Sequence, residues 1–125
     1  MKKIGKTLIA MAMVSLLFGC GGQQQETAES EQFVVGMECS YAPFNWQTSQ
    51  ESETTVSLGN AGYADGYDVQ IAKRIADDLG KELVIKKISW DGLSVALESG
   101  EIDAIIAGMT ANETREEGID FTTPY

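Results

Sequence analysis

Between Phe33 and Ala107 three short apolar runs alternate with two stretches of mixed polarity. The first run, Phe33-Val34-Val35-Gly36-Met37, is continuous rather than alternating, the pattern of a strand buried on both faces of a parallel sheet. Leu83-Val84-Ile85-Lys86-Lys87-Ile88 and Ile102-Asp103-Ala104-Ile105-Ile106-Ala107 predict a second and a third strand. From Asp68 to Leu79 the apolar residues Val69, Ala72, Ile75, Ala76 and Leu79 recur at helical spacing, with Gln70, Lys73, Arg74, Asp77 and Asp78 between them. Asp68 suits the N-cap and Gly80 the residue just past the helix end. A second, shorter helix is predicted over Leu93 to Glu98, stopped near Gly100. The order strand, helix, strand, helix, strand places the chain in the α/β class, with a mostly parallel sheet flanked by helices.

Less regular segments surround this frame. Tyr41-Ala42-Pro43-Phe44-Asn45-Trp46 predicts a rigid turn carrying aromatic side chains at a strand end. Gln47 to Asp65 is rich in Ser, Thr, Glu, Gly and Asn and predicts an exposed excursion with room for a hairpin. Thr110-Ala111-Asn112-Glu113 has capping-box spacing, so a short helix is expected from about Ala111 to Glu117. Ile119-Asp120-Phe121-Thr122 then begins an extended segment, and the chain reaches Tyr125 directly after Pro124, which reads as a fragment of a longer protein.

The first 32 residues follow a different logic. Lys2, Lys3 and Lys6 precede an uncharged stretch from Thr7 to Phe18, which fits the core of a secretory signal and falls short of the roughly 20 residues of a membrane span. Leu17-Phe18-Gly19-Cys20 resembles the lipobox of bacterial lipoproteins. That resemblance implies a signal peptide over 1–19, lipid on Cys20 as the mature N-terminus, and anchorage to the cell membrane from the extracytoplasmic side. Residues 20–32 lack the apolar side chains that would offset chain entropy, and predict a flexible tether.

Composition narrows the function. The chain has 125 residues, 43% hydrophobic and 22% charged, enough for one folded domain. Its formal net charge of -10 repels phosphate backbones, so nucleic acid is not expected as a partner. Histidine is absent, which removes the common general base and every imidazole metal site. No metal or other cofactor is expected. With Cys20 lipidated, Cys39 has no disulfide partner and is expected to act as a small apolar residue.

Four ordered blocks from Phe33 to Tyr125 together resemble the amino-acid-binding family of bacterial solute-binding proteins, the receptors of ATP-binding-cassette importers. They are Tyr41-Ala42-Pro43-Phe44, Gly66-Tyr67-Asp68-Val69, Trp90-Asp91-Gly92-Leu93, and Gly100 to Thr110 followed by Glu113-Thr114-Arg115 and Ile119 to Tyr125. The resemblance implies a periplasmic-binding-protein-like first lobe over residues 33–125, ending at the start of an inter-lobe crossover, with the second lobe missing. It implies a monomer that binds a free polar amino acid and passes it to permease subunits, without catalysis. The same fold in dehydratases and murein lyases keeps a ligand-binding domain of an envelope enzyme, or of a sensor, as the alternative.

The residues themselves suggest how such a ligand would be met. Arg115 offers a planar fork for a carboxylate, with charge-assisted hydrogen bonds of roughly 1.5 to 3 kcal/mol each. Gly108-Met109-Thr110 follows the third strand, where ligands of open α/β sheets bind. The resemblance gives Arg115 the α-carboxylate, Gly108 and Thr110 further polar contacts, and Tyr41 and Trp90 the aromatic walls. It leaves Glu38 an ammonium or polar side chain. Each has a plainer reading: Arg115 as a surface partner of Glu116 or Asp120, Tyr41 and Trp90 as core aromatics, Glu38 as a solvated strand end. A lobe alone supplies part of the contacts, so binding no tighter than about millimolar is expected, roughly -4 kcal/mol.

Overall fold

A computed structural model describes residues 31–125. The segments expected as signal peptide and tether, with Cys20, lie outside the described residues up to Ser30. The apolar run at the start becomes β1 (Gln32–Met37), which pairs in parallel over its whole length with β6 (Glu82–Lys87). On its other edge β1 pairs in parallel with β7 (Ala104–Ile105), so the sheet order is β6-β1-β7. Helix α1 (Tyr67–Leu79) leads into β6, and α2 (Trp90–Glu98) carries the chain from β6 across to β7. The strand-helix order expected from the periodicity is therefore present, and residues 31–125 form a single α/β lobe.

Burial explains the run lengths. Val35, Met37, Val69, Ala72 and Leu93 are sealed from solvent between the sheet and the helices. Ladder pairing in β7 covers two residues, not the six expected from Ile102 to Ala107, because side-chain and loop bonds take over at its ends. The Val34 N–H donates to Asp103 Oδ2 at 2.8 Å, and the Asp103 N–H donates to the Val34 carbonyl at 2.7 Å. Ile102, Ile106 and Ala107 are still buried.

Helix α1 buries Val69, Ala72 and Ala76, whereas Ile75 and Leu79 sit off the edge of that stripe and stay exposed. Its C-terminus closes with Gly80 in the left-handed conformation: the Gly80 N–H donates to Asp77 and the Lys81 N–H to Ala76. Its N-cap is Gly66, not Asp68. At φ 126° a side chain would be strained, and a Cβ on Gly66 would lie 2.3 Å from the Phe44 carbonyl oxygen. Asp68 instead turns inward and is fully buried. Helix α2 begins at Trp90, three residues before the expected Leu93, with Ser89 at its N-cap.

The hairpin expected within Gln47 to Asp65 is present, and with Ser40 to Thr48 it forms a second sheet. Strands β2 (Ser40–Tyr41), β3 (Asn45–Thr48), β4 (Val56–Ser57) and β5 (Tyr63–Asp65) pair antiparallel in the order β2-β3-β5-β4. A 3-10 turn at Gly59–Ala61 joins β4 to β5 as the hairpin. The polar loop before β4 rests on α1, with Gln70 Nε2 donating to the Thr54 carbonyl at 2.6 Å and Lys73 Nζ to the Glu53 carbonyl at 2.7 Å.

After β7 the expected capping box does not form. Helix α3 (Glu113–Glu116) is one turn long and is capped by Asn112, whose Oδ1 accepts the Arg115 N–H at 3.0 Å. Asn112 wins because its short side-chain oxygen reaches that third N–H directly, leaving Thr110 two residues outside the helix. The extended segment expected from Ile119 to Thr122 forms no strand: Ile119 is a buried bend whose N–H donates back to the Arg115 carbonyl at 3.0 Å, and residues 120–125 join no sheet.

Candidate functional site

Strand β1 sits between β6 and β7, so the chain leaves it toward opposite edges of the sheet. Such a reversal opens a crevice outside the carboxyl ends of the strands, between the loops that follow β1 and β7. The first loop runs through Glu38 and Cys39 to Tyr41, the second through Gly108 to Asn112. Cys39 has φ 56°, the described non-glycine residue with a left-handed backbone, and that turn redirects the chain toward the crevice.

A cavity of about 570 Å³ opens at this place, lined by Tyr41, Gly108 and Thr110 from the two loops. Tyr67 and Tyr125 complete its wall. Among the described residues, the three aromatic side chains left half or more exposed are Tyr41 (51%), Tyr67 (50%) and Tyr125 (61%), and all three line this cavity. Exposed tyrosines converging on one concavity mark a place for a ligand, because each offers apolar area with a polar tip. Tyr41 stacks on Phe44 with ring centroids 5.0 Å apart, and Tyr67 meets Tyr125 at 6.0 Å. Gly108 is required where it stands: its φ is 63°, and a Cβ there would press on the Tyr41 ring at 3.2 Å.

Arg115 is joined to the same loop from the side. Its Nη1 donates to the Thr110 carbonyl at 2.6 Å, and its guanidinium lies over the Trp90 ring, 5.4 Å from the centroid. No ion pair to Glu116 or Asp120 forms among the described residues. Trp90 packs against the hydrophobic core while offering a face to Arg115, so it is a core aromatic and a platform at once. Glu38 is half-buried next to the Cys39 turn and does not line the cavity. Thus Tyr41, Gly108 and Thr110 share one cavity, Arg115 and Trp90 form a pair attached to it through Thr110, and Glu38 stands apart.

Beneath the crevice runs a buried polar chain. The Cys39 N–H donates to Asn45 Oδ1 at 2.8 Å, and Asn45 Nδ2 donates to Asp68 Oδ2 at 2.8 Å. The Tyr125 hydroxyl donates to Asp68 Oδ1 at 3.0 Å. Burial, reinforced by the negative charge of Asp68, raises the Tyr125 phenol well above its ordinary range. Burial likewise pushes the Cys39 thiol up to about 11, against a smaller opposing effect of Lys87. Sequence reasoning missed Tyr67 and Tyr125 as cavity walls and took Asp68 only as a cap. An aspartate directly after an aromatic residue at a helix start gives no sign that its partners stand 23 and 57 positions away.

This arrangement, a parallel α/β lobe with an aromatic crevice at its strand ends, defines a periplasmic-binding-protein-like lobe. The chain belongs to the bacterial extracellular solute-binding proteins, family 3, whose family model matches residues 33–125. It is 31% identical over 122 residues to the L-cystine-binding protein TcyJ of Escherichia coli K12, covering 94% of this chain and 42% of that protein. Cyclohexadienyl dehydratase of Pseudomonas aeruginosa is 31% identical over 121 residues, covering 93% of this chain and 41% of the enzyme. Among solved structures, the arginine-bound form of domain 1 from TmArgBP of T. maritima superposes with a TM-score of 0.62 at 35% identity, covering 75% of this chain and 66% of that one. The chain spans less than half the length of these two curated relatives.

Proposed function

We propose that this chain is the first lobe of a lipid-anchored extracytoplasmic receptor that captures a free polar amino acid and hands it to the permease of an ATP-binding-cassette importer. The observation that carries the reading is the placement of Arg115. Stacked on Trp90 and tied to Thr110, its guanidinium is held at the crevice with no carboxylate of the described chain to neutralise it. A planar cation fixed in this way suits a ligand carboxylate. Thr110 and Gly108 add polar contacts and Tyr41 a wall, Trp90 supports Arg115 from the core side, and Glu38, which stands outside the cavity, is left a ligand group that reaches past the Cys39 turn. The relatives named for cystine and arginine support an amino acid as the ligand. Residues 20–30 serve as the tether, two fewer than the sequence pattern suggests because Glu31 pairs with Lys81 and Gln32 already opens β1, and the chain from there to Tyr125 serves as the lobe, acting as a monomer without metal or cofactor. Capture needs no covalent step; closure around the ligand supplies the signal for docking.

The test is a thermal-shift panel of the twenty common amino acids and L-cystine, run on the chain and on Arg115→Ala. One chemical class is expected to raise the melting temperature, and Arg115→Ala is expected to abolish the shift while melting near the wild type without ligand. No shift with any amino acid, together with turnover of a cyclohexadienyl acid, would move the enzyme reading ahead. For the anchor, mass spectrometry of the mature N-terminus is expected to find acyl chains on Cys20.

A further inference from the structure

Asn45 and Asp68 are the polar side chains that the described residues bury completely. A carboxylate taken out of water is costly unless donors or a cation compensate it. No cation pairs with Asp68 among the described residues. Its compensation comes from the Asn45 amide, the Tyr125 hydroxyl and its place in the first turn of α1, where the helix dipole favours an anion. The chain of bonds has one possible polarity. Toward Asn45, Cys39 presents its N–H, so Asn45 turns its oxygen to it and its amino group to residue 68, and the Asp68 carboxylate accepts that bond on one oxygen and the Tyr125 hydroxyl on the other.

The two ends of this chain lie on the crevice. At one end the Cys39 N–H holds the left-handed turn between Glu38 and Tyr41, and the Cys39 carbonyl accepts from the Gln47 N–H at 3.0 Å. At the other end Tyr125 belongs to the irregular stretch after α3, and its ring lines the cavity beside Tyr67. We infer that Asp68 is a positioning residue: through Asn45 and Tyr125 it couples the stretch after α3 to the Cys39 turn, so that the placement of residue 125 sets how Tyr41 meets a ligand. The relevance to a ligand rests on the receptor reading above; the coupling itself does not.

Tyr125→Phe removes the hydroxyl and nothing else, and the measurement is amide hydrogen exchange by NMR on the chain without ligand. The Cys39 amide is expected to exchange about tenfold faster, while Ala72 and Ala76 within α1 keep their wild-type rates. An unchanged Cys39 amide, or equal acceleration of Cys39 and α1, overturns the coupling, since the latter is what general loosening of the fold produces. Asp68→Asn provides a second readout: at neutral pH the Tyr125 ring resonances are expected to move from their wild-type positions, and unchanged ring resonances count against the contact. Neither readout needs an amino acid, so a failed thermal-shift panel would remove the receptor reading and leave this result standing.

Discussion

Cys39 combines three properties that a single residue rarely holds together: a left-handed backbone, nearly complete burial, and both backbone groups bonded to the neighbouring sheet. Its thiol, raised from 9.0 to about 11 by burial, stays protonated at neutral pH and has no route to a reagent. Native protein at pH 8 is expected to leave Cys39 unalkylated by iodoacetamide, with modification at that residue, mapped by mass spectrometry, appearing only after unfolding. The same shift fixes a sign for stability. Between about pH 9 and 11 the folded state keeps a proton that the unfolded state has lost, so stability falls as pH rises through that window. Chemical denaturation at pH 8 and 10.5 checks it, Cys39→Ser serving as the control that removes the thiol's share. Of the cavity-lining residues, those adjoining strand ends could be placed from the sequence: Tyr41, Gly108 and Thr110 follow directly from where β1 and β7 stop. Tyr67 and Tyr125 could not, because an exposed tyrosine and a wall tyrosine read alike until the fold sets them opposite each other.

The one-turn helix α3 shows how much an element can depend on one side chain. Four residues cannot sustain a helix by propensity, so the Asn112 cap decides whether Arg115 is held in place. Asn112→Ala is expected to cost about 1 kcal/mol and to weaken amino-acid binding with it. Thr110→Ala, which removes the cap that spacing alone suggested, is expected to change stability by less than about 0.5 kcal/mol. Denaturant titrations of the two variants separate these roles. The contrast also shows what the sequence could convey about elements. Apolar runs and helical periodicity located β1, α1 and β6 to within a residue, because each packs a long enough apolar run or stripe against the core to leave its period in the sequence. The antiparallel sheet was hidden: its strands are two to four residues long, mostly polar, and joined by pairing rather than by a buried face. Choice between Thr110 and Asn112 as the cap was equally hidden, since both carry the right oxygen and only backbone direction selects one.

At the scale of the whole molecule, the balance of contacts sets the affinity. The described lobe offers one guanidinium, one hydroxyl, loop backbone groups and an aromatic wall, while its crevice stands open on the side away from the strands. A free amino acid carries a carboxylate, an ammonium and a side chain, and each group left in water contributes little beyond what it already had. The ligand also loses its translational freedom on binding, a cost that a single wall does not recover easily. L-Arginine titrated into the chain by calorimetry is therefore expected to show a dissociation constant no tighter than about 1 mM, near -4 kcal/mol. A micromolar constant would mean that Arg115, Thr110 and the tyrosines already hold all the groups that matter, and that closure adds shape rather than affinity. A millimolar constant that disappears in Arg115→Ala would mean that this lobe orients the ligand and that most of the binding energy comes from contacts made when the crevice closes.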